Sequence, residues 1–153
     1  MNWGKTVTGL SAAMLVCMPA AMAEVAPGDV KIEDLKVAAA ITDQAGNPEE
    51  GAKAFKDTKG GNCLACHANK AMPKDLFQGN VGPALDGVAG RYEPALLRAI
   101  LVNSKAVFGP QTVMPGFYTL DVGKNVREES VGKTVLTAQQ VEDIVAYLGT
   151  LKE

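Results

Sequence analysis

Apolar residues near the carboxyl end of the chain recur at helical spacing and form a stripe along one face: Val141, Ile144, Val145, Leu148 and Leu151. Thr137 and Gln140 occupy the two positions of a capping box, which is a signal for the start of a helix. The pattern therefore predicts an amphipathic helix that begins after Thr137 and packs its apolar stripe against a core.

Two further helices are indicated upstream. Asn47-Pro48-Glu49-Glu50 combines a capping side chain, a proline at the first helical position and acidic first-turn residues. The helix that it starts is expected to pass Phe55 and to end near Gly60-Gly61. Pro94 opens another helix, with three apolar residues on one face: Leu97, Ile100 and Leu101. No run alternates persuasively in the manner of a strand, so the predicted fold is all-α.

The first 23 residues are typical of a signal peptide. Lys5 supplies a positive charge, residues 7–18 form an apolar run, and Ala21-Met22-Ala23 is a small-x-small cleavage site. The alternative is a buried core helix, but Pro19 and the alanine-rich stretch after it end the segment as a signal peptide ends. We expect cleavage after Ala23, and therefore a chain exported to the periplasm.

Composition narrows the class of protein. The chain has 153 residues, of which 47% are hydrophobic and 21% charged, and this suits a single domain. Its formal net charge of −2 lacks the basic excess that nucleic-acid binding requires, so no nucleic-acid partner is expected. No stretch reaches the ~20 apolar residues of a membrane span. After the signal peptide of residues 1–23, we expect an N-terminal extension at 24–47 and one folded domain at 48–153.

The strongest chemical signal is Cys63-Leu64-Ala65-Cys66-His67, the attachment pattern for c-type haem. On a turn of helix, residues three apart lie on one side, so both sulfurs can reach two vinyl groups along one porphyrin edge. His67 then brings its imidazole beneath the iron as an axial ligand. A zinc site would lack a fourth ligand unless a carboxylate is recruited, and a redox dithiol would lack its βαβ context. A plain disulfide stays possible in an exported protein, but it gives no reason for His67.

A second axial ligand is expected on the other face of the porphyrin. Met72 follows His67 too closely for the chain to round the ring comfortably, whereas Met114 lies far enough downstream and Pro115 stiffens the loop behind it. A His/Met pair suits electron transfer rather than oxygen chemistry. If Met114 only fills space in the core, then Met72, a lysine or water is the second ligand of the iron.

Residues 79–91 form a glycine-rich loop between these ligands. Its glycines allow backbone to pack against a flat ring. The Pro83 carbonyl is a candidate acceptor for the Nδ1–H of His67, and Arg91 is a candidate partner for a haem propionate. The competing interpretations are an ordinary surface loop and a solvated arginine.

Taken together, these features resemble a class I cytochrome c over about residues 48–153. The resemblance rests on the haem motif, Gly82-Pro83-x-Leu85-x-Gly87, Met114-Pro115 and the terminal helix with Tyr147-Leu148. It implies three to five helices wrapped around one covalently bound haem c, with His67 and Met114 as axial ligands. More narrowly, residues 79–92, 112–117 and 136–143 resemble the SoxX family, the monohaem subunits of SoxAX cytochromes.

The narrower resemblance implies a role in periplasmic thiosulfate oxidation. In that family, a larger haem-containing SoxA subunit joins thiosulfate to a cysteine of a SoxYZ carrier protein, an L-cysteine S-thiosulfotransferase reaction. The released electrons pass through the haems to a small soluble cytochrome c. A cysteine persulfide needs a free sulfur, and haem attachment consumes Cys63 and Cys66. We therefore expect no catalytic residue on this chain.

Alternatives to a complex subunit stay open at this point. They are a free-standing periplasmic electron carrier, a haem subunit of another periplasmic dehydrogenase, and a small peroxidase-type enzyme with an open iron. Residues 24–46 and 119–135 are not needed to wrap a porphyrin, so we interpret both as docking surface, with simple loop growth as the equal alternative.

Overall fold

The computed structural model describes Met1 and residues 23–121 and 123–152. The predicted signal peptide, Cys17 included, lies outside these residues except at Met1 and Ala23. The described residues contain four α-helices: α1 is Pro48–Lys56, α2 is Val88–Arg91, α3 is Pro94–Phe108 and α4 is Ala138–Leu148. Pairing of extended backbone is limited, in the same residues, to two isolated bridges. The all-α prediction is confirmed.

The start of α1 agrees with the prediction from the sequence, but its carboxyl end does not. The Asn47 side chain accepts hydrogen bonds from the amides of Glu49 and Glu50, at 2.8 and 3.3 Å. The helix ends at Lys56, before the predicted Gly60-Gly61, because Asp57 adopts an extended ψ of 113°. The Asp57 carbonyl then accepts from the amides of Gly60 and Asn62.

The helices α1 and α4 cross at close range. A Cβ added to Gly51 would lie 1.9 Å from the carbonyl oxygen of Asp143, so the crossing requires glycine. One turn further on, the rings of Phe55 and Tyr147 meet edge to face with centroids 5.5 Å apart. The predicted capping box of α4 is present, and α4 buries its apolar stripe in the core.

The helix α3 contains a kink that the sequence pattern does not announce. Asn103 has φ −152° and ψ 90°, which interrupts the helix between Val102 and Ser104. The Asn103 side chain accepts a hydrogen bond from the Lys105 amide at 3.2 Å and so caps the second part. Across residues 23–121 and 123–152, no helix has both the length and the hydropathy that crossing a membrane requires.

Residues 24–46 pack against the helical domain along one side. Val37 and Ile41 are 5% and 1% exposed, and the Val37 amide donates to the Ala95 carbonyl at 3.0 Å. The Tyr118 hydroxyl donates to the Val25 carbonyl at 2.7 Å. The inner side of this segment therefore belongs to the core of its own domain. A docking role for its outer side stays a prediction.

The polar segment 119–135 is a loop whose two ends lie next to each other. The Leu136 amide donates to the Phe117 carbonyl at 2.9 Å, so the ends of the excursion are held together. Between them the described residues are mostly exposed and include one short 3-10 turn, Glu128–Ser130. Val122 lies outside the described residues. The docking role predicted for this segment also stays a prediction.

Candidate functional site

A short turn gathers the motif residues. Asn62 adopts a left-handed conformation with φ 46°, and the 3-10 helix Cys63–Ala65 follows at once. The amides of Cys66 and His67 both donate to the Cys63 carbonyl, at 3.1 and 2.9 Å. These bonds hold the two thiols and the imidazole on one turn, as the spacing of the motif predicts.

The glycine-rich loop runs directly alongside this turn. Three of its amides donate to alternate carbonyls of the motif and of Ala68 just after it: Gly79 to Leu64 at 2.8 Å, Gly82 to Cys66 at 2.9 Å, and Leu85 to Ala68 at 2.9 Å. The loop is therefore fastened along its length, not only at its ends. This register fixes where its carbonyl groups stand relative to His67.

The fastened loop places the Pro83 carbonyl oxygen 2.7 Å from Nδ1 of His67. A carbonyl only accepts, so Nδ1 carries the hydrogen and Nε2 keeps its lone pair. The sequence analysis expects this contact. The bond fixes the tautomer and orientation of the imidazole and leaves one basic nitrogen for a metal.

Glycine is required where the loop faces the imidazole. A Cβ added to Gly82 would lie 2.3 Å from Cε1 of His67, and one added to Gly79 would lie 2.0 Å from the Ala65 carbonyl oxygen. Either Cβ would push the loop and the turn apart. The two glycines therefore form a cradle that sets the position of the ring.

Arg91, the last residue of the same loop, binds backbone carbonyls within it. Its guanidinium donates to the carbonyls of Asp86 and Ala84, at 2.6 and 2.9 Å. The Asp86 carboxylate in turn accepts from the Lys70 amide at 2.8 Å, just beyond the motif. Arg91 thus holds the backbone that follows Pro83. The predicted contact with a propionate stays a prediction.

The two motif cysteines are free thiols in different surroundings. Cys63 is buried and Cys66 is half-buried. Burial raises the pKa of the Cys63 thiol to about 12, because a thiolate there would lose its hydration. Cys63 is therefore held as a neutral thiol and is not an activated nucleophile.

Met114 is half-buried and packs against the core. The Ser104 hydroxyl donates to its carbonyl at 2.5 Å and lies 3.2 Å from the Pro115 carbonyl. Met72, the competing sulfur, is 8% exposed and belongs to the core cluster. The role of Met114 as an iron ligand stays a prediction.

Several residues that support the motif turn are absent from the sequence-based expectations. Asn69 is fully buried and donates from Nδ2 to the Tyr147 hydroxyl at 2.8 Å. Its amide donates to the Gln78 side chain at 2.6 Å, and Gln78 also binds the Met72 carbonyl. These polar side chains join the motif region to α4. No local sequence pattern marks Asn69 or Gln78 for such a role.

The helical fold and the Cys-x-x-Cys-His turn together define a class I cytochrome c. The cytochrome c family model matches residues 48–152, and the chain belongs to this family, whose cofactor is a covalently bound haem c. More particularly, it is a SoxX-like member. A chain in the crystal structure of SoxXA from P. pantotrophus is 41% identical, with a TM-score of 0.78, and the match covers 85% of this chain and 99% of that one. No curated protein matches the sequence.

The residues of the turn fit haem c. Two thiols three residues apart stand beside an imidazole whose Nδ1 is already bonded, and glycine replaces the side chain that would crowd the ring. This donor set supplies two thioether links and one nitrogen ligand. Among the described residues, no three His, Cys, Asp or Glu side chains gather into a metal-binding cluster.

Proposed function

We propose that this chain is the electron-transfer haem subunit of a periplasmic SoxAX-type complex. It accepts electrons that are released when a larger, haem-containing partner couples thiosulfate to a carrier-protein cysteine. It then passes them to a small soluble cytochrome c. The observation that carries the proposal is the 41% identity over 99% of the matched chain in a SoxXA structure.

Each site residue has a defined task in this proposal. Cys63 and Cys66 would hold the haem through thioether bonds, and His67 and Met114 would bind its iron. The bound haem supplies an iron that alternates between ferric and ferrous states. The Pro83 carbonyl, 2.7 Å from Nδ1, keeps the imidazole oriented and electron-rich. Two side-chain ligands on the iron would suit electron transfer rather than oxygen chemistry.

The chain itself lacks a nucleophile for sulfur chemistry. Cys17 lies within the predicted signal peptide, and the remaining cysteines are Cys63 and Cys66. Haem attachment uses both sulfurs, and the raised pKa of Cys63 opposes thiolate formation before attachment. The formation of the sulfur–sulfur bond is therefore assigned to the partner subunit and its carrier protein.

The decisive experiment is capture of partners from native periplasm. Mature chain carrying haem and an affinity tag is incubated with periplasmic extract, recovered, and resolved on a gel stained for haem. We expect a second, larger haem protein at equal stoichiometry. Recovery of this chain alone, eluting as a monomer, would favour the free-standing carrier, whereas a flavin- or quinone-containing partner would favour another dehydrogenase.

The axial assignment has its own test. Met114→Ala is expected to abolish the weak near-infrared band of Met-ligated ferric haem and to lower the reduction potential, because a thioether ligand favours the ferrous state. Met72→Ala is the matched control and is expected to keep the band. An unchanged spectrum in Met114→Ala would remove Met114 from the site, and rapid cyanide binding by the wild type would favour the open-iron enzyme.

A further inference from the structure

We propose that Ser104 is a positioning residue for Met114, and that the kink in α3 exists to make its hydroxyl available to the Met114 loop. This inference rests on the proposed role of Met114 as an axial ligand. Ser104 is fully buried and is neither a haem-motif residue nor part of the glycine-rich loop.

The Ser104 hydroxyl, just after the kink, bonds outside its own helix. A serine inside a helix ordinarily bonds back to a carbonyl of the preceding turn. Here the hydroxyl donates outward to the Met114 carbonyl at 2.5 Å, with the Pro115 carbonyl at 3.2 Å. The bond joins a rigid helix to the residue whose side chain is proposed to bind iron.

The kink supplies further attachment points for the same loop. Because Asn103 leaves the helical conformation, carbonyls of the preceding turn can bond outside the helix. The Leu101 carbonyl accepts from the Phe117 amide at 2.9 Å, and the Val102 carbonyl accepts from the Tyr118 amide at 3.2 Å. The chain on the carboxyl side of Met114 is thus bound to the backbone of α3 by two hydrogen bonds.

Close packing completes the attachment. A Cβ added to Gly116 would lie 3.1 Å from the Val102 carbonyl oxygen and 3.2 Å from the Asn103 Cα. The loop therefore approaches the backbone of α3 at the kink itself. The Ser104 bond holds the loop at Met114, and the two amide bonds hold it just afterwards. These contacts hold the main chain at Met114 in place, so little main-chain entropy is lost when the side chain binds a metal.

The test uses the mature holoprotein and the variant Ser104→Ala, which removes one oxygen atom. The control is Thr150→Val, which removes another hydroxyl-to-carbonyl bond, 2.6 Å from Thr150 to Tyr147, at an exposed residue beyond the end of α4. The readouts are the near-infrared Met–ferric band and the rate at which added imidazole displaces the native ligand. Denaturant unfolding of each variant measures its global stability in parallel.

We expect Ser104→Ala to speed imidazole binding about tenfold, the effect of losing one buried hydrogen bond, and Ser104→Thr to restore a slower rate. The imidazole-binding rate of Thr150→Val should stay within about twofold of the wild-type rate, even if this variant loses as much global stability as Ser104→Ala. An unchanged rate in Ser104→Ala, or an equal acceleration in Thr150→Val, would overturn the inference. If that happens while Met114→Ala loses the band, the axial assignment stands and the positioning role alone fails. If Met114→Ala keeps the band, the axial assignment fails, and the inference fails with it.

Discussion

Arg98 of α3 and Glu142 of α4 form a two-pronged ion pair inside the protein. Nε and one terminal nitrogen of Arg98 lie 2.7 and 2.9 Å from the two carboxylate oxygens. The same two side chains also bind the N-terminal segment: Arg98 donates to the Val37 carbonyl at 2.9 Å, and Glu142 accepts from the Ile41 amide at 2.9 Å. One buried pair therefore joins two helices and residues 24–46.

Arg98→Met should destabilise the protein severely. It leaves the Glu142 carboxylate buried, with 5% of its side chain exposed, and unmatched. We expect a loss of about 3–5 kcal/mol in the free energy of unfolding, measured with denaturant at neutral pH, together with faster proteolysis of the N-terminal segment. Lys53→Met is the control, because it breaks an exposed, solvent-screened pair with Glu50 and should lower the free energy of unfolding far less. Equal losses in the two variants would contradict this interpretation.

Gly82→Ala should disturb the haem ligand directly. The new Cβ would meet the imidazole of His67 at 2.3 Å, so either the ring or the loop must move. We expect low yield of haem-loaded protein and a shifted Soret spectrum in what is recovered. Gly90→Ala is the matched control, because a Cβ there meets nothing within 4 Å. A wild-type spectrum in Gly82→Ala would show that the cradle does not set the ring.

Tyr147→Phe should remove the acceptor for the fully buried Asn69 side chain. An unpaired buried amide costs about 1–3 kcal/mol, and this loss should appear in denaturant unfolding at neutral pH. Tyr92→Phe, at a residue with 36% exposure, should change stability little. Similar losses in the two variants would show that the hydrogen bond between Asn69 and Tyr147 does not stabilise the fold.

The same residue predicts a change at alkaline pH. Burial is the main cause that raises the pKa of the Tyr147 phenol above 10, its ordinary value. The folded state therefore favours the neutral phenol, and the stability that this contributes is lost as pH rises from the ordinary pKa through the folded one. Wild-type stability should fall more steeply in that range than the stability of Tyr147→Phe. If the stability of the two proteins fell equally with rising pH, the raised pKa of Tyr147 would be contradicted.

Local signals predicted much of the fold. Proline and capping residues mark the starts of α1, α3 and α4, because helix termini need local partners for their free amides. The kink at Asn103 and the early end of α1 were not predicted. In the kink, the lost helical bonds are replaced by amides of Phe117 and Tyr118, which no local pattern can reveal.

The residues of the site also divide into those that the sequence predicts and those that it does not. Cys63, Cys66 and His67 are recognisable because covalent attachment demands a fixed spacing along one turn. Ser104 and Asn69 are not, since each acts through a partner distant in the chain, and a buried serine or asparagine looks ordinary in sequence. The pair of Arg98 and Glu142 is hidden for the same reason: 44 positions separate the two residues.

The central claim is that one haem is bound covalently through Cys63 and Cys66. The direct measurement is intact mass spectrometry of the denatured protein after secretion from a host that matures c-type cytochromes. A mass equal to the chain from Glu24 plus one haem is predicted, and it should fall to the bare polypeptide in the double variant Cys63→Ala and Cys66→Ala. A wild-type mass equal to the bare polypeptide would contradict the claim.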